Sequence, residues 1–192
     1  MPIAEIEALL AELDEQRLRF TVLCRGLTAE QLERSVPGSN WLVRDFIAHL
    51  ATIDRPVRRF IESVRGEGAD AGRSGGSAGG SIDEWNDRQV EERRERTVEE
   101  LLVEMAEERS KMRALLASLT EEDLGRTIRF PGDSKRPPQE LTLRQYLQGW
   151  VKHDGIHAVD MLRALPEWRE ELLVQRWLAD PVIARYQQAM NP

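Results

Sequence analysis

Cysteine is almost missing from this chain. Cys24 is the single one among 192 residues, so no internal disulfide can form, and a reducing, cytoplasmic setting is expected. Basic residues are in deficit: 27 Lys and Arg face 34 Asp and Glu, a net charge of −7. Phosphate backbones need a basic face, so no nucleic-acid partner is expected. No run of about 18 apolar residues occurs, which excludes a membrane-spanning helix of ordinary length. The opening Met1-Pro2-Ile3-Ala4-Glu5 is acidic and amphipathic, unlike a secretory signal. Histidine is scarce too: His49, His153 and His157 are the only three.

What is present is helical. Hydrophobic residues make up 41% and charged ones 32%, enough for one domain with a core and a solvated surface. Ile3, Ile6, Leu9, Leu10 and Leu13 recur at helical spacing and predict a first helix over residues 3–25. Thr28-Ala29-Glu30-Gln31 is a capping box that opens a short helix. A second long helix should start near Asn40 or Trp41, with Asn40 as its cap. Pro56 should kink it one to two turns past His49. Residues 66–80 hold seven of the 13 glycines and read as a flexible loop. Capping boxes at Ser81 and Thr97 predict a third long helix with a restart near Thr97. Thr120 caps another short helix, residues 126–140 read as loop, and Thr142 opens a fourth long helix to about Leu165. Pro166 suits the first position of a further helix over residues 167–178, and Asp180-Pro181 caps a last one. The expected organisation is a bundle over residues 1–165 and a helical extension over residues 166–192 packed on it.

The chain also repeats itself. Leu27-Thr28-Ala29-Glu30-Gln31-Leu32-Glu33-Arg34-Ser35-Val36 and Leu119-Thr120-Glu121-Glu122-Asp123-Leu124-Gly125-Arg126-Thr127-Ile128 share the pattern L-T-x-E-x-L-x-R-[S/T]-[V/I]. Further on, Arg44-Asp45-Phe46-Ile47 matches Arg144-Gln145-Tyr146-Leu147, and Asp54 matches Asp154. Two copies of one helical hairpin pack as a four-helix bundle, with the histidine-bearing helices in equivalent positions.

His153 and His157 are four apart, so on a helix they project from one face. His49 on a neighbouring helix could complete a three-nitrogen site with an open coordination position. The alternative is three ordinary histidines on helices that never meet. A di-iron carboxylate bundle is disfavoured, because it needs a Glu-x-x-His pair on each of two helices and only Asp154-x-x-His157 comes near.

Three features taken together resemble the DinB-like (YfiT-like) family of metal-binding four-helix bundles. They are Trp41-x-x-Arg44-Asp45-x-x-x-His49-Leu50, Glu84-Trp85-Asn86-Asp87, and His153-x-x-x-His157. The resemblance covers roughly residues 3–165. It implies an all-α bundle with extra short helices and a divalent metal (Zn, Ni or Fe) held by His49, His153 and His157. One departure is Leu42, where the family usually carries Ser or Thr. The resemblance further implies a metal-dependent enzyme acting on a small-molecule substrate. Hydrolases and S-transferases with a low-molecular-weight thiol as co-substrate are the two themes. A non-catalytic metal-binding stress-response or structural bundle is the alternative, and a homodimer is the implied assembly. By helical spacing, Asp45 could orient His49 and Asp160 could orient His157. Tyr146, Gly149 and Trp150 share the histidine face and are candidates to line a pocket.

Overall fold

In a computed structural model, residues 3–66, 82–130 and 138–190 are described. The expected loop therefore lies outside the described residues except for Gly66. The chain runs α1 (Ala4–Gly26), α2 (Ala29–Leu32), α3 (Val43–Thr52), α4 (Asp54–Arg65), α5 (Ile82–Glu91), α6 (Val98–Ala117) and α7 (Glu121–Gly125). Strands β1 (Thr127–Phe130) and β2 (Gln139–Thr142) follow, then α8 (Leu143–Trp150) and α9 (His153–Met161). A 3-10 turn (Pro166–Trp168), α10 (Leu172–Leu178) and α11 (Pro181–Met190) end it. The four arms of the bundle are α1, α3 with α4, α6, and α8 with α9.

Local chemistry explains most starts. Thr28, Thr97, Thr120 and Thr142 each accept the N–H three residues on, while Gln31, Glu100, Asp123 and Gln145 reach back to the cap's own N–H. Each such box satisfies two donors the helix leaves orphaned and contributes about 1 kcal/mol. Asn40 does not cap α3. The residue before α3 is Leu42, which has no side-chain acceptor, and Asp45 Oδ2 takes its N–H at 2.8 Å.

The second arm breaks at Ile53, one turn past His49, where Pro56 has no N–H to offer the Thr52 carbonyl, and α4 begins at Asp54, in line with the expected interruption. Other elements depart from the expected outline. α5 stops at Glu91 because Arg93 turns back to Glu104, at 2.7 and 2.9 Å. Residues 126–140 are not all loop: Thr127–Phe130 pairs antiparallel with Gln139–Thr142, with Thr127 opposite Thr142. The first copy of the repeat makes the same contact in miniature, a single bridge between Ser35 and Leu42. The fourth arm is not one helix to Leu165. It tightens at Val151-Lys152, where the Lys152 N–H bonds the Gly149 carbonyl, and α9 starts at His153. The tail helix expected over residues 167–178 is split, because Trp168 packs against Gly26 and Glu167 binds Gln31 (2.7 Å) and Arg34 (2.6 Å).

The core falls into two apolar clusters, one around Phe20, Phe46, Ile47, Met105 and Leu162, the other around Ile6, Leu13, Ile61, Met112 and Leu147. Four buried charges, one from each arm, pair with one another: Arg17, Asp54, Arg109 and Asp154. Arg17 Nε donates to Asp154 Oδ2 at 2.7 Å, and Arg109 Nε donates to Asp54 Oδ2 at 2.7 Å. Arg109 Nη2 also reaches both Asp154 oxygens at 3.2 Å. Arg17 Nη1 donates to the Met105 carbonyl (3.1 Å), and Arg109 Nη1 donates to the Leu13 carbonyl (3.0 Å). Arg17 and Arg109 each stand ten residues before the leucine that opens the repeated motif, and Leu13 and Met105 stand four before each arginine. The quartet is therefore drawn from positions that the repeat makes equivalent. Burial pushes the Asp154 carboxyl up, but the Arg109 and Arg17 guanidiniums outweigh it and hold it down at about 2.

Candidate metal centre

His49 lies in the last half of α3, and His153 and His157 lie one turn apart at the start of α9. The break at Lys152 sets the direction of α9. Lys152 is held by Glu12 (2.7 Å) and Asp180 (2.8 Å), and Asp154 is drawn into the core by the two arginines. With Asp154 turned inward, the neighbouring His153 and His157 face α3.

The three imidazoles converge. Ring centroids are 4.4 Å apart for His153 and His157, 5.0 Å for His49 and His157, and 5.6 Å for His49 and His153. One nitrogen from each lies within 4.8 Å of the others. Each ring also packs on an aromatic neighbour: His49 on Trp41 (5.1 Å), His157 on Phe46 (5.6 Å) and His153 on Trp150 (4.3 Å). His157 Nδ1 is 3.1 Å from Asp160 Oδ2. With its proton on Nδ1 for that carboxylate, His157 has Nε2 left as the lone-pair atom.

Two buried nitrogens, Nδ1 of His49 and Nδ1 of His153, have no hydrogen-bond partner among the described residues. A buried polar atom without a partner costs free energy, about 1–3 kcal/mol. Three convergent imidazoles with unsatisfied nitrogen are the donor set a divalent transition metal takes. Burial, and then the neighbouring His157, lowers the pKa of His49 well below the usual histidine value; the Asp154 carboxylate opposes this without prevailing. His153 is lowered likewise, by burial first and then by His157, His49 and the two core arginines. Part of the His153 surface remains open, but its Nδ1 is enclosed. Both rings are thus neutral near pH 7 and can donate a lone pair.

The other candidate residues fall differently. Asp160 lies against His157. Asp45 is spent on the Leu42 N–H, and no bond from it to His49 occurs among the described residues. Trp150 stacks on His153, while Tyr146 is one step further out, its ring 5.1 Å from Phe60. Gly149 is exposed, with no atom within 4 Å of where a Cβ would stand. Spacing did not bring out the buried quartet beside His153, although Asp54 and Asp154 were already paired by the repeat. Extending the repeat ten residues upstream would have paired Arg17 with Arg109. The Trp41 Nε1–H donates to Asp87 Oδ1 (2.9 Å), which ties α5 to the ring packed against His49; spacing along the chain gives no sign that these two motifs bond.

The fold is a helical bundle, and two of its arms bring three histidines into one cluster. The DinB superfamily matches residues 4–161, and the chain belongs to it. Among solved structures it is similar to YfiT from Bacillus subtilis, described as a probable metal-dependent hydrolase with an unusual four-helix bundle topology. The TM-score is 0.62 at 18% identity, over 85% of this chain and 86% of that one. No curated protein matches the sequence. Among the described residues no helix is long and apolar enough to cross a membrane.

Proposed function

We propose that the chain binds one divalent metal ion through His49, His153 and His157 and is a metal-dependent hydrolase of a small-molecule substrate. The observation that carries the reading is the pair of buried, unpartnered Nδ1 atoms in a cluster of three converging imidazoles. The likeness to YfiT supports hydrolysis over other metal chemistry. Held by these three histidines, a divalent ion would supply Lewis acidity for hydrolysis. The chain's own residues do the rest. Burial keeps His49 and His153 neutral, so their lone pairs stand ready without a proton to displace. Asp160 fixes the His157 tautomer and ring plane. Trp41, Phe46 and Trp150 pack against the three rings and fix their places. Among the described residues no fourth His, Cys, Asp or Glu joins the cluster, so the protein itself would supply three ligands.

The test is metal content by mass spectrometry on tag-free protein, with wild type compared to His49→Ala and His157→Ala, followed by a panel of hydrolysable esters and amides. About one ion per chain in wild type, lost in both variants, with chelator-sensitive hydrolysis, is the expected result. No metal after reconstitution refutes the site. A loaded protein that leaves the panel intact and consumes a low-molecular-weight thiol instead refutes the hydrolase reading and favours S-transfer.

A further inference from the structure

We infer that the carboxyl-terminal extension is part of the metal centre, and that Gln187 is a positioning residue for His157 acting through Asp160. The inference rests on the metal-site reading above. It concerns a residue beyond the span that matches the superfamily, which ends at residue 161.

The extension holds α9 along its whole length. At the start of α9, Lys152 is bound to Asp180, the residue that caps α11 through the Val182 and Ile183 N–H groups. At the middle, Gly155 lies between the two histidines in sequence and faces the extension. A Cβ there would stand 2.7 Å from Ile183 Cδ1, 2.7 Å from Trp177 Cδ1 and 2.6 Å from Gln16 Oε1. Trp177 is fully buried and donates its Nε1–H to the same Gln16 oxygen at 2.7 Å. Only glycine lets the tail approach the backbone that closely.

At the far end, the extension reaches the carboxylate that orients His157. Asp160 uses Oδ2 for His157 Nδ1. Its other oxygen, Oδ1, accepts from Gln187 Nε2 at 3.1 Å and from Arg163 Nη2 at 3.2 Å. Arg163 Nη2 in turn donates to Gln187 Oε1 at 3.3 Å. Gln187, Arg163 and Asp160 therefore close a ring of three. The Gln187 amide donates to the acid and accepts from the base, which only a side chain with both groups can do. An aspartate three residues along a helix from a histidine could swing away from it. Held at Oδ1 from a different helix, Asp160 keeps Oδ2 on the imidazole. Outer partners of this kind set ring orientation and ligand basicity, and with them metal affinity.

The experiment measures Zn²⁺ affinity by chelator competition for wild type, Gln187→Met, Asp160→Ala and the double variant. Methionine keeps the length and packing of Gln187 and deletes both amide groups. Asp160→Ala is expected to weaken binding about 10–100-fold, and Gln187→Met by about 10-fold, the lower end for outer-shell partners. In the Asp160→Ala background, Gln187→Met is expected to change affinity less than about 2-fold, because its route to the metal has gone. Co²⁺-loaded Gln187→Met should also show a shifted visible absorption band. Wild-type affinity in Gln187→Met overturns the inference. So does the same fold-loss in both backgrounds, since that marks a general effect of tail packing. A wild type that takes up no Zn²⁺ overturns the metal reading first and this inference with it.

Discussion

Replacing Arg109 by methionine isolates the energetics of the buried quartet. The variant removes the Nε bond to Asp54 at 2.7 Å, the contacts to both oxygens of Asp154 at 3.2 Å and the bond to the Leu13 carbonyl at 3.0 Å. Asp154 keeps Arg17, at 2.7 and 3.1 Å. Among the described residues Asp54, 1% exposed, keeps only the approach of Arg17 Nη2 at 3.8 Å, and its Oδ1 already lacks a hydrogen-bond partner there. A neutral cluster becomes one with a net negative charge in a low-dielectric interior. Breaking such a pair by removing one partner costs about 3–5 kcal/mol, against a total of about 5–15 kcal/mol for a domain. Arg109→Met should thus fold but unfold at markedly lower urea. Arg17→Met should cost less, because both carboxylates keep Arg109 within 3.2 Å. Asp54→Asn added to Arg109→Met should restore part of the loss, since the amide has no charge to leave unpaired. Equilibrium urea unfolding at pH 7 with chelator present measures all of these without a metal contribution. A loss below about 1 kcal/mol in Arg109→Met, or a double variant no more stable than the single, refutes the assignment of the cost to an unpaired buried charge.

Metal-free protein should lose stability on acidification through the histidines. His49 and His153 have folded pKa values well below the usual 6.5, so below that pH the unfolded chain binds more protons than the folded one. Stability is then present above about 6.5 and falls as pH drops toward the folded values, by up to about 2.7 kcal/mol per pH unit for two groups. His49→Gln should roughly halve that slope in urea titrations between pH 7.5 and 5.5; a flat wild-type profile would contradict the burial of His49 and His153 as neutral rings. Gly155→Ala should cost about 1–3 kcal/mol through overpacking against Trp177, Ile183 and Gln16. Its thermal midpoint should drop by several degrees, whereas an unchanged midpoint would mean that the tail does not press on α9.

The helices themselves were readable because their signals are local. Apolar residues at helical spacing and the threonine boxes at Thr28, Thr97, Thr120 and Thr142 act over three or four positions and need no tertiary partner. The repeat was readable for the same reason, since it is carried by the caps of α2 and α7. The departures from local pattern have long-range causes. The hairpin of Thr127–Phe130 with Gln139–Thr142 pairs segments too short for a periodic signal. The split at Val151-Lys152 depends on partners far away in sequence, Arg17 and Arg109 on Asp154 and Asp180 on Lys152. Asp45 and Asp160 look alike by spacing, yet one caps its own helix and the other binds a histidine.

Helix class, the order of the arms, the doubling of the hairpin and the three histidines as candidate ligands are properties of the sequence alone, because propensity, capping and periodicity are short-range. Tertiary structure alone decided that the three imidazoles meet, that two of their nitrogens are buried without partners, and that Gln187 reaches Asp160. Those outcomes depend on which buried charges pair across the bundle axis and on how closely the tail can approach Gly155. Both are set by contacts between residues tens to more than a hundred positions apart.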